Sequence, residues 1–239
     1  MSQDINTINK DAVLKAFLTP NFFKRVITAL LFGGLTLWML ITESPFIGHF
    51  MVVLCGIVMF EWMSLVFKSD KDHKERMTWL FMGGTYLIFG IIGFYELYDY
   101  SSMLGLSVLF IIWSTDIGAY FAGKILGGPK LAPSISPGKT WSGAVGGVIS
   151  ASITALIISV YMYDGINVGI ISFFILCSIL GQIGDLLESK MKRYFKVKDS
   201  GNLLPGHGGF IDRLDSLTLI GFVLYALYLI TGFAQIFNL

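Results

Sequence analysis

Residues 203–216 read LLPGHGGFIDRLDS, so one His, three Gly, two Asp and one Arg share a single short window. Asp212 and Asp215 stand at i, i+3. A helix starting within FIDRLDS would turn both carboxylates to one side of its first turn. Asp185, in GQIGDLLESKMKR, adds a third carboxylate that converges on the same face. Oxygen ligands of this kind suit Mg²⁺, which takes one or two carboxylates together with substrate phosphates and water. An Asp in a first turn also favours the helix macrodipole. That accounts for one Asp, but not for two beside an Arg, a His and a glycine loop. The glycines permit tight turns and close backbone approach, which a bound phosphate can exploit. His207 either touches substrate or holds this loop in shape.

A second polar segment, residues 124–143, reads KILGGPKLAPSISPGKTWSG. Its SPGKT carries the ending of a Walker A loop. The full pattern needs a glycine at position 133, where this chain has Pro133, and no strand is expected ahead of it. A P-loop NTPase is therefore excluded. The local chemistry remains: Gly138 frees a backbone N–H, Lys139 supplies a point charge, and Ser136 and Thr140 can bond phosphate oxygens. With Thr140 near a helix start, the N-terminal dipole adds to the attraction for anions.

Asp116, in WSTDIGAYFAGK, and Asp185 both fall inside apolar runs. An ionisable group in the hydrocarbon layer costs a few kcal/mol or more, so it faces a polar cavity or a partner. Gly118, Ala119, Ala122 and Gly123 beside the first, and Gly181 and Gly184 beside the second, let helix backbones approach closely. Glu61, in FEWMSLVF, reads as a structural contact to a lysine of the 68–76 loop at least as readily as a functional group. Carboxylates, lysines and glycine loops in this combination fit phosphoryl or nucleotidyl transfer, which needs positioned cations around phosphate oxygens. GxSxG, HExxH and Cys/His metal spacings are all missing from the sequence.

The elements that must position these groups are membrane helices. Of 239 residues, 54% are hydrophobic and only 14% charged, with mean hydropathy +0.72. A soluble domain carries roughly 25% charged residues. Runs of about 18 or more apolar residues read as membrane spans. Seven are expected, at 26–42, 46–67, 77–95, 103–123, 141–162, 166–187 and 217–237. The fold class is thus an all-α polytopic membrane protein. Its parts are a cytoplasmic segment 1–25, N-terminal helices over 26–100, and a catalytic region 101–239 that includes the loop 188–216. All 17 Lys and Arg fall before span one or between spans two and three, four and five, and six and seven. The positive-inside rule then puts the N-terminus and these loops in the cytoplasm. Net charge is +1, with no pull toward nucleic acid. Cys55 and Cys177 lie in apolar runs and read as buried small hydrophobes rather than a disulfide.

The stretch SKMKRYFKVKDSGNLLPGHGGFIDRLD, residues 189–215, closely resembles the motif of the phosphatidate cytidylyltransferase (CDP-diglyceride synthase) family. Ser189, Lys192, Arg193, Lys198, Asp199, Gly201, Pro205, His207, Gly208, Gly209, Asp212, Arg213 and Asp215 all fall in place. TDIGAYFAGK, KLAPSISPGKTWSG and GQIGDLLESK are also similar to that family, so the resemblance covers about 110–220. Many relatives read SPKKT followed by an aromatic and Glu-Gly. Here Gly138 stands for the Lys and Ser142 for the Glu, and the roles of those two residues are not carried over.

The resemblance implies CTP plus phosphatidic acid giving CDP-diacylglycerol and pyrophosphate, in a bacterial inner membrane with the site on its cytoplasmic face. It implies Mg²⁺, with a monovalent cation such as K⁺ beside it, and Asp185 and Asp212 as metal ligands with Asp215 close by. Relatives suggest a homodimer. Lys139, Lys198 and Arg213 are expected on phosphates, and Lys192 and Arg193 as attractors of anionic headgroups. Ser136, Thr140, Ser189, Gly208, Gly209 and Asp116 complete the expected substrate-binding set. Two other readings stay open: a CTP-dependent kinase of a polyprenol, and a transporter of a phosphorylated solute. The second lacks the paired halves that transporters often show.

Overall fold

A computed structural model describes residues 29–204 and 208–233. After one π-turn (Ala29–Gly33) come α1 (Gly34–Ile41), α2 (Ile47–Lys68), α3 (His73–Tyr100) and α4 (Ser102–Leu126). A hairpin of β1 (Lys130–Ala132) and β2 (Ser136–Thr140) leads into α5 (Trp141–Met162), α6 (Val168–Tyr194) and α7 (Ile211–Thr231). Among the described residues six helices, α2 to α7, are long and apolar enough to cross a membrane. This is an integral membrane protein. The first expected span, 26–42, lies partly outside the described residues, and its described part is a shorter apolar helix, Leu30–Ile41. His207 and the basic residues of 1–25 also lie outside them.

The segment 124–143 departs from the expectation of a loop without strands. Lys130 pairs with Thr140 and Ala132 with Ser136, antiparallel and with an irregular register. SPGKT is itself the second strand and runs straight into α5, so no glycine loop stands between strand and helix.

Local chemistry sets most helix starts. The side chains of Asp72, Ser101, Thr140 and Asn167 each accept a backbone N–H of the first turn of α3, α4, α5 and α6, the usual work of an N-cap. No side chain of its own caps α7, whose N-cap position is Phe210.

Small residues set the helix crossings. α4 lies along α5 because Gly118, Gly143, Gly146 and Gly147 leave no gap. A Cβ on Gly147 would come within 3.0 Å of Thr115 O, and one on Gly143 within 2.9 Å of Ala119 O. The Gly143–Gly147 face is therefore used within the chain, whereas a Cβ on Gly33 or Gly34 would meet nothing within 4 Å among the described residues. α3 and α7 cross at Gly90, Gly93 and Gly221, where a Cβ on Gly93 would overlap Gly221 O. Gly93→Ala is expected to destabilise the protein by about 1–3 kcal/mol, the usual range for overpacking. Thermal unfolding in detergent checks this, and an unchanged midpoint would mean that the helices separate without loss.

An aromatic cluster fixes the turn after α6. The Phe195 ring packs edge-on to Trp62 at 5.7 Å and to Trp79 at 5.5 Å, and Trp62 donates to Trp79 O at 3.2 Å. The segment that carries the charged motif thus leaves α6 against α2 and α3.

Candidate active site

α6 carries Asp185, Glu188, Ser189 and Lys192 within two turns, a spacing that puts them along one helix face. α7 brings Asp212 and Asp215 in its first turns, as the i, i+3 spacing requires. The two helices meet at small residues. A Cβ on Gly184 would come within 2.7 Å of Asp215 O, and one on Gly181 within 3.4 Å of Ser216 Cβ. Asp185, Glu188 and Asp215 consequently gather, with one oxygen from each lying within 4.8 Å of the other two.

Three carboxylates so close repel strongly where water is scarce. Asp185 is offset by an ion pair with Lys139 from β2. Glu188 is 2.7 Å from the Lys192 ammonium, yet its Oε1 is buried with no hydrogen-bond partner among the described residues. Asp215 accepts from its neighbour Ser216 N at 2.6 Å and makes no ion pair among the described residues. An acidic group with one buried oxygen unspent fits a divalent cation, whose hard oxygen preference matches this donor set.

Asp212 has a different environment. Its Oδ1 takes Lys192 Nζ at 2.7 Å. Its Oδ2 accepts from Ser200 N at 3.0 Å and Gly209 N at 2.9 Å, and Ser200 Oγ stands 3.0 Å away. Gly208, at φ +85°, turns the chain beside this carboxylate, and a Cβ there would come within 3.0 Å of Oδ2. Ser200, Gly208 and Gly209 thus close around Asp212, which stands next to the acidic group rather than within it.

Two cavities flank that group. The more polar of them, about 470 Å³, is lined by Asp116, Lys124, Lys139, Thr140, Gln182 and Asp185 together with apolar residues such as Ala119, Leu131 and Ala144. An apolar one of about 480 Å³ lies between α3, α6 and α7, with Glu188 and Asp215 at its polar margin beside Trp79, Met82, Tyr86 and Leu187. Asp185 thus lines the more polar space, and Glu188 and Asp215 line the apolar one. A larger cavity of about 840 Å³, around Glu43, His49 and Asp99, lies at the other ends of α2, α3 and α4 and touches none of these groups.

The family model described as "Cytidylyltransferase family" matches residues 17–231. The chain belongs to that family. It is 35% identical over 249 residues to the phosphatidate cytidylyltransferase of Brucella suis biovar 1 (strain 1330), covering 86% of this chain and 92% of the relative. Against the Bacillus subtilis (strain 168) protein of the same name it is 35% identical over 209 residues, covering 82% and 77%. The Staphylococcus saprophyticus protein of that name is 42% identical over 155 residues, covering 62% and 59%.

In this cytidylyltransferase several expected site residues stand together and others do not. Asp116, Lys139, Thr140 and Asp185 share the polar cavity. Thr140 is buried and spends its Oγ1 on Gly143 N at 3.1 Å, and Ser142 lies 3.0 Å from it. It shapes the start of α5 rather than offering a free hydroxyl. Ser189 Oγ stands 3.5 Å from Asp185 Oδ1. Lys198 is exposed on the turn after α6, and Ser136 is half-buried in β2. Arg213 lines a separate apolar cavity of about 610 Å³, with Trp113, Leu214 and Leu217.

Lys192 and Arg193, expected to attract headgroups, both have partners within the protein. The Lys192 side chain is only 14% exposed and is held between Glu188 and Asp212. Arg193 donates to Ile135 O at 3.4 Å and Val197 O at 3.2 Å, which ties the hairpin to the end of α6. Glu61 corrects an expectation. It meets no lysine of the 68–76 loop; it is buried, accepts from Phe210 N at 2.7 Å, and is hydrogen-bonded by Ser200 Oγ. Glu188 escaped the reading of the sequence altogether, although its i, i+3 spacing from Asp185 was a visible signal.

Proposed function

We propose that this cytidylyltransferase joins CTP to phosphatidic acid, giving CDP-diacylglycerol and pyrophosphate, on the cytoplasmic face of the membrane. One observation carries the reading. The acidic group lines both the more polar cavity, with its lysine, and the apolar cavity between helices, which suits one soluble polyanion and one lipid.

In this reading CTP lies in the polar cavity with its phosphates toward Lys139 and the start of α5, whose backbone dipole favours anions. The diacyl chains enter from the apolar side, so the phosphate of the lipid arrives beside Glu188 and Asp215. A phosphate oxygen of the lipid forms a new bond to the α-phosphorus of CTP. The bridging bond to the β-phosphate breaks, and its electron pair leaves on pyrophosphate. The attacking oxygen is already anionic, so no protein group has to remove a proton. The obstacle is repulsion between two anions. Lys139 lowers it directly, and Lys192 keeps Glu188 and Asp212 from adding to it. We assign Asp185, Glu188 and Asp215 as the residues that would hold Mg²⁺, with Asp212 as their support. Bound there, the ion would neutralise charge on the phosphate oxygens. The Arg193 tether holds β2, and hence Lys139, over α6.

The test is a radiolabelled CTP assay with purified protein in detergent, phosphatidic acid and Mg²⁺. Labelled CDP-diacylglycerol is expected, and its loss on omitting Mg²⁺ or in Asp212→Asn. Transfer of the CTP γ-phosphate to a polyprenol instead, or no lipid product from folded protein, would overturn the assignment.

A further inference from the structure

We infer that Glu61, on a helix far from the charged motif in sequence, is a positioning residue that sets the first turn of α7 and with it Asp212 and Asp215. The inference deepens the proposed function and rests on that reading for its catalytic part. A helix start leaves backbone N–H groups without partners, and Phe210 at the N-cap has no side-chain oxygen to take them. Glu61 takes them instead, accepting from Phe210 N at 2.7 Å and Ile211 N at 3.4 Å. Its negative charge at that end also complements the helix dipole.

The carboxylate does more than fill a vacancy at the helix end. Ser200 Oγ bonds Glu61 and also stands 3.0 Å from Asp212 Oδ2. From there the chain of contacts continues through Lys192 to Glu188. Two glycines of the motif are shaped to Glu61 as well. A Cβ on Gly201 would come within 2.9 Å of its Cδ, and one on Gly209 would overlap its Oε1. The motif is therefore folded around a carboxylate that α2 delivers. The acidic group of Asp185, Glu188 and Asp215 depends on the pitch and rotation of α7, because Asp215 is the member that α7 supplies. Misplacement of a reacting constellation by about 1 Å lowers rates by roughly 10²-fold.

Glu61→Gln keeps the size and one acceptor oxygen but turns an NH₂ toward Ser200 or the α7 amides. Two measurements decide the matter. Mn²⁺ affinity, read by electron paramagnetic resonance without substrates, should fall several-fold. In the lipid product assay kcat should drop about 10- to 100-fold with the KM for phosphatidic acid little changed, and Glu61→Asp should recover part of the loss. Should Glu61→Gln fail to fold, Ser200→Ala removes only the bridging hydroxyl and should shift Mn²⁺ affinity in the same direction. Wild-type Mn²⁺ affinity in the folded variant would overturn the inference, as would a rate loss matched by loss of folded protein alone. A shifted Mn²⁺ affinity in a protein that makes no CDP-diacylglycerol would uphold Glu61 and overturn the proposed reaction.

Discussion

Asp215→Asn is expected to slow CDP-diacylglycerol formation by about 10²–10³-fold while leaving the metal-free protein at least as stable as the wild type. The reason is what Asp215 does and does not bond. One of its oxygens lies within 4.8 Å of an oxygen from each of Asp185 and Glu188. Its hydrogen bond comes from the adjacent Ser216 N–H at 2.6 Å, and an asparagine oxygen can accept that as well. The substitution therefore removes a negative charge from a crowded acidic group without breaking an ion pair. In the absence of a cation, less repulsion remains. In its presence a ligand of the proposed metal site would be lost, and with it neutralisation of charge on the phosphate oxygens. Initial rates over a Mg²⁺ titration, paired with thermal unfolding in chelator, separate the two effects. Near-normal rates at every Mg²⁺ concentration would remove Asp215 from the proposed metal group. A lowered midpoint in chelator would show that the carboxylate serves the fold instead.

That division between fold and chemistry explains how much was legible in the sequence. The long helices were, because apolar runs in a membrane need only length and composition. The tight helix crossings were also legible, since Gly118, Gly181 and Gly184 stand beside acidic residues and have no other use in a greasy helix. The motif pointed to Asp212 and Asp215 through their spacing alone. Glu61 was hidden because its partners, Ser200, Phe210 and Ile211, lie on the far side of four helices in the chain. No local pattern announces a helix start capped from another helix. Lys192 was hidden for a related reason. A lysine at the end of a helix normally extends to water, and only the fold shows that Glu188 and Asp212 close over it. The hairpin escaped because strands of three and five residues carrying Pro137 and Gly138 have too little alternation to read. Arg213, one residue from Asp212 on α7, points to a different cavity because consecutive helix positions diverge by about 100°.

Lys192→Met should destabilise the protein by about 3–5 kcal/mol, the range for removing one partner of a buried ion pair. The lysine side chain is 14% exposed, and those of Glu188 and Asp212 are 5% and 7% exposed. Methionine retains the length of the stem but strips the ammonium, leaving two carboxylates facing each other without a counter-charge. Unfolding in mixed micelles at pH 7 measures the loss. The double variant Lys192→Met/Glu188→Gln removes one of the stranded charges, so much of the stability should return. Activity should not, because Glu188 belongs to the group proposed to hold the metal. Recovery of stability with loss of activity would separate the two roles of this lysine neighbourhood, holding α6 to α7 and keeping the acidic group in order. A Lys192→Met protein within about 1 kcal/mol of wild type, the scale of an exposed pair, would mean that water reaches these carboxylates freely and that Lys192 does not hold the two helices together.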